Sequence, residues 1–113
     1  MVEESLKKGP SPGRIGKTFF MVLSKAGPNR DLSKGSRQQA FWDDHAAFID
    51  GLVDDGFITL GGPLEDEGGA VLVVRAESED DVRRTLSHDP WYREGMLELV
   101  SVKCWTIFID EGE

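Results

Sequence analysis

The chain has a single cysteine, Cys104, among 113 residues. No intrachain disulfide can form, so nothing points to an oxidising compartment. Histidine is nearly as scarce, with His45 and His88 the only two. No H-x-x-x-H or C-x-x-C spacing occurs, and the acidic residues form no EF-hand loop. Neither a metal nor another cofactor is expected. Positive charge is also short: 13 Lys and Arg stand against 21 Asp and Glu, for a net charge of −8. A surface of that sign repels phosphate backbones and anionic lipid, so nucleic acid and membrane are not expected as partners. No run of about 18 apolar residues is available to cross a bilayer. The opening stretch "MVEESLKKGPSPGRIGK" lacks the apolar core of a signal peptide. The chain reads as cytoplasmic.

What is present suits one small globular domain. Hydrophobic residues make up 39% and charged residues 30%, a balance that supports a core rather than disorder. Residues 1–16, with the breaks of "GPSPG", read as a mobile tail; residues 17–110 as the domain; residues 111–113 as a short C-terminal tail.

Within the domain the period of the apolar residues changes several times. "KTFFMVLSK" (17–25) is apolar on both alternating faces and predicts a strand covered on both sides. "AGPNRDLSKGS" (26–36) is turn chemistry, long enough to cover a pocket. From Arg37 to about Asp55 the period becomes helical. Phe41, His45, Phe48 and Leu52, with Ile49, share one face; Asp43, Asp44, Asp50, Asp54 and Asp55 fall opposite. Ser36 is the expected N-cap and Gly56 the expected C′ residue. "FITLGG" (57–62) and "AVLVVRA" (70–76) predict strands flanking the acidic loop "PLEDEGG" (63–69). Ser78 and Asp81 start a second helix that buries Val82 and Leu86. The last strand is expected over 97–109, with Leu97, Leu99, Ser101, Lys103 and Trp105 on one face. Val100, Val102 and Cys104 are placed on the other, Cys104 as an inert apolar filler.

This order, strand-helix-strand-strand-helix-strand, is the ferredoxin-like βαββαβ pattern of the α+β class. Its usual solution is an antiparallel four-stranded sheet with two helices on one face. Strands apolar on both faces then leave a large apolar surface, which a second copy would cover. A homodimer with sheet packed on sheet, a dimeric α+β barrel, is the expected assembly.

Two residues carry the chemical reading. His45 sits in the apolar stripe of its helix. It is either a core histidine with a hydrogen-bonded ring nitrogen or a general acid–base group, since imidazole titrates near neutral pH. Asp89 precedes Pro90 in "SHDPWYREG". It reads equally as the N-cap of a short turn and as the orienting partner of His45, and one side chain can serve both roles. Trp42, Trp91, Tyr92 and Trp105 are candidate walls of a pocket for a small apolar or ring-derived ligand, with core packing the alternative for each. Gly61, Gly62 and Pro63 in "LGGP" bring backbone close to such a ligand or form a plain turn.

The chain resembles the YciI-like (YCII-related, DGPF) domain family. The likeness rests on "DHAAFIDGLVDDGFITLGGPLED", "VVRAESEDDVRRTLSHDP" and "DPWYREGMLELVSVKCW", taken in this order and spacing. It implies a dimeric α+β barrel of ferredoxin-like subunits. It also implies a histidine–aspartate pair of suspected catalytic role, which falls on His45 and Asp89. One relative is a dehydrochlorinase, so the resemblance points to a cofactor-independent lyase or isomerase that moves a proton. The alternative is a non-catalytic dimer that binds a small ligand or a protein.

Overall fold

A computed structural model describes residues 18–64 and 68–109. The expected tails at 1–16 and 111–113, and residues 65–67 of the acidic loop, lie outside the described residues. The elements in order are β1 (Thr18–Ala26), a 3-10 turn (Ser36–Gln38), α1 (Trp42–Asp54), β2 (Ile58–Pro63), β3 (Ala70–Ala76), α2 (Glu79–Leu86), α3 (Pro90–Arg93) and β4 (Leu97–Trp105). The strands form one sheet in the order β2-β3-β1-β4, and each neighbouring pair is antiparallel. This is the ferredoxin-like arrangement expected from the sequence. Among the described residues no helix is long and apolar enough to cross a membrane.

The core lies between the sheet and the helices. Phe20 and Val22 of β1, Leu72 and Val74 of β3 and Val102 of β4 meet Val82 and Leu86 of α2, and Ile49 and Leu52 of α1 pack against the same cluster. Both main helices therefore cover one face. The α2 side chains at i and i+4 are the buried pair, and Ser78 caps the helix by accepting the Asp81 backbone N–H at 3.1 Å. Gly56 follows α1 with φ +82°, the left-handed C′ conformation that glycine adopts without a Cβ clash.

Three features depart from the sequence pattern. First, strict alternation fails in β4. Leu23 pairs with Ser101, yet Ser24 pairs with Leu99, so Val100 is an extra residue at a β-bulge. A bulge reverses the facing of everything beyond it. Leu97 and Leu99 thus turn to the helix side, Leu97 becoming 6% exposed, while Val100 is left 51% exposed. Second, β4 ends at Trp105 and is an edge strand, so Cys104 near its end is exposed and fills no core space.

Third, the helix from Arg37 is interrupted. A 3-10 turn ends at Gln38, and α1 begins only after Phe41, which holds the N-cap position with φ +65°. Ser36 does not cap α1. The break follows from Gln39, whose buried amide belongs to the preceding loop. Its Nε2 donates to the Asp31, Lys34 and Gly35 carbonyls, and its Oε1 accepts the Asp31 N–H at 3.0 Å. Phe41 is left largely exposed, whereas the five aspartates assigned to the outer face of the helix do face water.

Candidate active site

The His45–Asp89 pair is assembled by two helix starts. Asp89 is the N-cap of α3, with Pro90 at N1, and its Oδ1 accepts the Trp91 backbone N–H at 2.9 Å. Proline at that position loses no intrahelical hydrogen bond. The same carboxylate lies 2.9 Å through each oxygen from Nδ1 of His45, on the first turn of α1. Asp89 is completely buried, and the His45 side chain is 12% exposed. The cap and the partner of His45 are one side chain.

Aromatic rings fix the imidazole from the side. The His45 ring stacks on the Trp91 indole with centroids 3.8 Å apart and planes 6° from parallel. The Trp91 indole N–H donates to the Ala40 carbonyl at 2.9 Å, just before α1. Trp42 lies 5.8 Å from His45 and 5.7 Å from Trp91. Rotation of the imidazole is opposed by stacking on one side and by a carboxylate at its edge.

A buried carboxylate with no donors would be very costly. Asp89 has two, the Trp91 amide and His45 Nδ1–H. That assignment places the proton on Nδ1 and leaves the Nε2 lone pair unpaired, since Nε2 makes no hydrogen bond among the described residues. His45 lines a cavity of about 400 Å³. In this arrangement Nε2 is the ring nitrogen left without a protein partner at the cavity.

The cavity lies between α1, the sheet and α3. Trp42, Trp91, Tyr92, Gly61, Gly62 and Pro63 line it beside His45 and Asp89; Trp105, also a candidate wall, does not, because it pairs with Phe19 at the end of the edge strand and is exposed. Ile49, Ile58, Leu72 and Leu97 add apolar wall. Leu97 arrives there only through the bulge at Val100. Gly61 and Gly62 face Leu72 and Val71 of β3, so they form part of the ladder rather than a free turn.

Sequence reasoning missed Arg30, Ser36 and Arg37, which also line the cavity. The one available signal was a pair of arginines in and beside a long loop of an acidic chain. That loop is stapled to the start of β4. The Gly27 N–H donates to the Met96 carbonyl at 3.0 Å and the Asn29 N–H to the Gly95 carbonyl at 2.8 Å. Any Cβ on Gly27 would sit 2.2 Å from the Gly95 oxygen, so only glycine permits the approach. Hydrogen bonds from Ser33, side chain then backbone, hold the Asp31 carboxyl below its ordinary range. Among the described residues, no three His, Cys, Asp or Glu side chains gather as metal ligands.

Tyr92 joins the site to the sheet. Its hydroxyl and that of the buried Ser24 on β1 are hydrogen-bonded. Burial pushes the phenol above its ordinary 10.0; the Ser24 bond opposes this, and the charge of Asp89 adds to it.

The family model of the YCII-related domain matches residues 18–106. Among solved structures the chain is similar to 5-chloro-2-hydroxyhydroquinone dehydrochlorinase (TftG) from Burkholderia phenoliruptrix AC1100, in complex with 2,5-dihydroxybenzoquinone. Identity is 28%, the TM-score is 0.56, and the likeness covers 78% of this chain and 93% of that one. No curated protein matches.

The Tyr92 environment has a consequence for alkaline stability. Well below pH 10 the phenol is neutral in both folded and unfolded chains and contributes nothing to the pH dependence. Above it the unfolded chain ionises first, so folding stability falls as pH rises through and beyond 10.0. Tyr92→Phe is expected to cost about 1 kcal/mol at neutral pH, through the lost Ser24 bond. Its urea midpoint should then decline less steeply than that of the wild type from roughly pH 9 to 11. Parallel declines would mean that Tyr92 is not held neutral by burial.

Proposed function

This chain belongs to the YCII-related domain family, and we propose that it is a small-molecule enzyme that needs no cofactor and works by proton transfer. The observation that carries the reading is the buried Asp89 carboxylate 2.9 Å from Nδ1 of a histidine that lines an apolar cavity. Similarity to a dehydrochlorinase supports a lyase or isomerase class.

In this reading His45 Nε2 is the base and Asp89 the positioning residue. On the diketo tautomer of a chlorinated polyhydroxy ring, Nε2 takes a proton from the carbon next to the one that bears chlorine, both carbons being saturated. The electron pair of that C–H bond becomes the new C=C bond as the neighbouring C–Cl bond breaks. Chloride leaves with the bonding pair, and the proton rests on the imidazole until water removes it. The isomerase variant returns the same proton to another ring carbon. Acid–base help of this kind is worth about 10²- to 10⁴-fold. Trp42, Trp91 and Tyr92 would hold the ring, and Gly61, Gly62 and Pro63 would let the backbone of β2 approach it.

The working unit in this proposal is a homodimer. The sheet face away from the helices carries Met21 and Trp105, each 41% exposed, and Leu60, 66% exposed. Val71 and Leu23 lie half-buried on the same face. A second copy of the chain is the occupant that matches this flat apolar surface, packed sheet to sheet about 10 Å apart.

Two outcomes check these statements. His45→Gln should lower chloride release from a chlorinated hydroxyhydroquinone by about 10²-fold or more, with far-ultraviolet circular dichroism unchanged. A variant that turns over normally removes the proton-transfer role. Sedimentation equilibrium at micromolar concentration should give twice the chain mass, and Met21→Asp should shift the protein to monomer. A wild-type monomer would remove the dimer.

A further inference from the structure

Arg30 is placed in a way that folding alone does not explain. It lines the cavity, and its guanidinium carbon sits 5.3 Å from the centroid of the Trp91 ring. One terminal nitrogen donates to Ser36 Oγ at 3.2 Å. Its Nε is buried without a hydrogen-bond partner, and it is the one side-chain polar atom among the described residues in that condition. Buried donors are nearly always satisfied, so the orphan shows a guanidinium that the protein leaves short of acceptors; Nε itself is sealed, and the terminal N–H groups are the donors a ligand in the cavity would meet. A guanidinium is a donor only and keeps its charge. Its natural complement is an anionic oxygen.

The charge balance of the cavity agrees. Arg30 and Arg37 both line it, and neither forms an ion pair among the described residues, although the chain carries a net charge of −8. The one carboxylate in the lining is Asp89, and both its oxygens are held by His45 and the Trp91 amide. Partial burial pushes the Arg30 guanidinium down from its ordinary value, in the direction expected of a cation partly removed from water. Arg37 is exposed, so its field is weakened by solvent. Arg30 is the stronger anchor. Trp91 connects it to the reactive end, with the guanidinium over the indole and the imidazole of His45 stacked on the same ring system.

We infer that the cavity holds an anion subsite built on Arg30, which selects planar ring substrates carrying an ionised ring oxygen, an enolate or phenolate, over neutral rings. This rests on the proposed proton-transfer reading and gives it a substrate class. The ionised oxygen docks at Arg30, and the apolar wall and indoles take the ring. An acidic ring is also one in which negative charge spreads readily to carbon, where a proton can be exchanged. The carbon skeleton is bound by shape, and the charge state is read by one side chain.

The test is binding, measured by calorimetry or by quenching of tryptophan fluorescence, with two probes of similar size. 2,5-Dihydroxybenzoquinone is ionised at neutral pH, whereas hydroquinone is neutral. Wild-type protein should bind the anion about tenfold or more tightly than hydroquinone. Arg30→Gln should erase that preference while leaving hydroquinone binding unchanged, and Arg30→Lys, which keeps the charge and loses the fork, should fall between. Equal affinity of Arg30→Gln and wild type for the anion would overturn the proposal. So would equal loss of both probes, or a wild-type protein that binds neither. Should Arg30→Gln not fold, Arg30→Lys and the wild-type preference decide alone. His45→Gln separates the two claims: normal turnover with the anion preference intact would sink proton transfer by His45 and leave the subsite standing.

Discussion

A carboxylate with no contact with water has to be met by donors, and most of the site follows from how Asp89 is met. Isolated, such a charge would cost several kcal/mol even after relaxation. Here the backbone N–H of Trp91 supplies one donor and the imidazole of His45 another. Removing one partner of a buried pair typically costs about 3–5 kcal/mol, so α1 and α3 are tied together through a single side chain. The constraint also runs the other way. A carboxylate that can only accept makes His45 a donor at Nδ1, and that sets the chemistry available at the opposite nitrogen.

The rest of the fold can be understood as support for that contact. The sheet supplies the floor, and the bulge at Val100 turns Leu97 into the cavity beneath the aromatic rings. The loop after β1 is held by Gly27 and Asn29 against the turn into β4 and by Gln39 from within. It thereby brings Arg30 over Trp91 instead of leaving it in solvent. Each of these is a backbone arrangement first, and the side chains that reach the cavity are consequences of it.

The sequence made the architecture legible because its periods are clean. The double-faced apolar runs of β1 and β3, the buried pair Val82 and Leu86, and the Asp-Pro helix start leave few alternatives. The pair was legible as one of two even readings of an inward-facing His45 and a helix-opening Asp89, and the family resemblance favoured it. Three things were hidden. The bulge at Val100 has no local signature, so alternation assigned Leu97 and Leu99 to the wrong face. The break before α1 depends on Gln39 folding back on carbonyls of its own loop, a tertiary contact. Arg30 gave no periodic signal, because its placement is decided by close approach of Gly27 to Gly95. Cys104 shows the same limit from another side: apolar neighbours in sequence do not bury a residue near the end of an edge strand.

The proton held between His45 and Asp89 decides which ring nitrogen is left bare. Nitrogen-15 NMR of the imidazole at neutral pH, in wild type and Asp89→Asn, reads it directly, with the exposed His88 as an internal reference. Predicted for the wild type is a single tautomer, protonated at Nδ1 with a bare Nε2, and loss of that preference once the carboxylate becomes an amide. An Nε2–H tautomer in the wild type, or ring-nitrogen shifts that do not change on substitution, would contradict it.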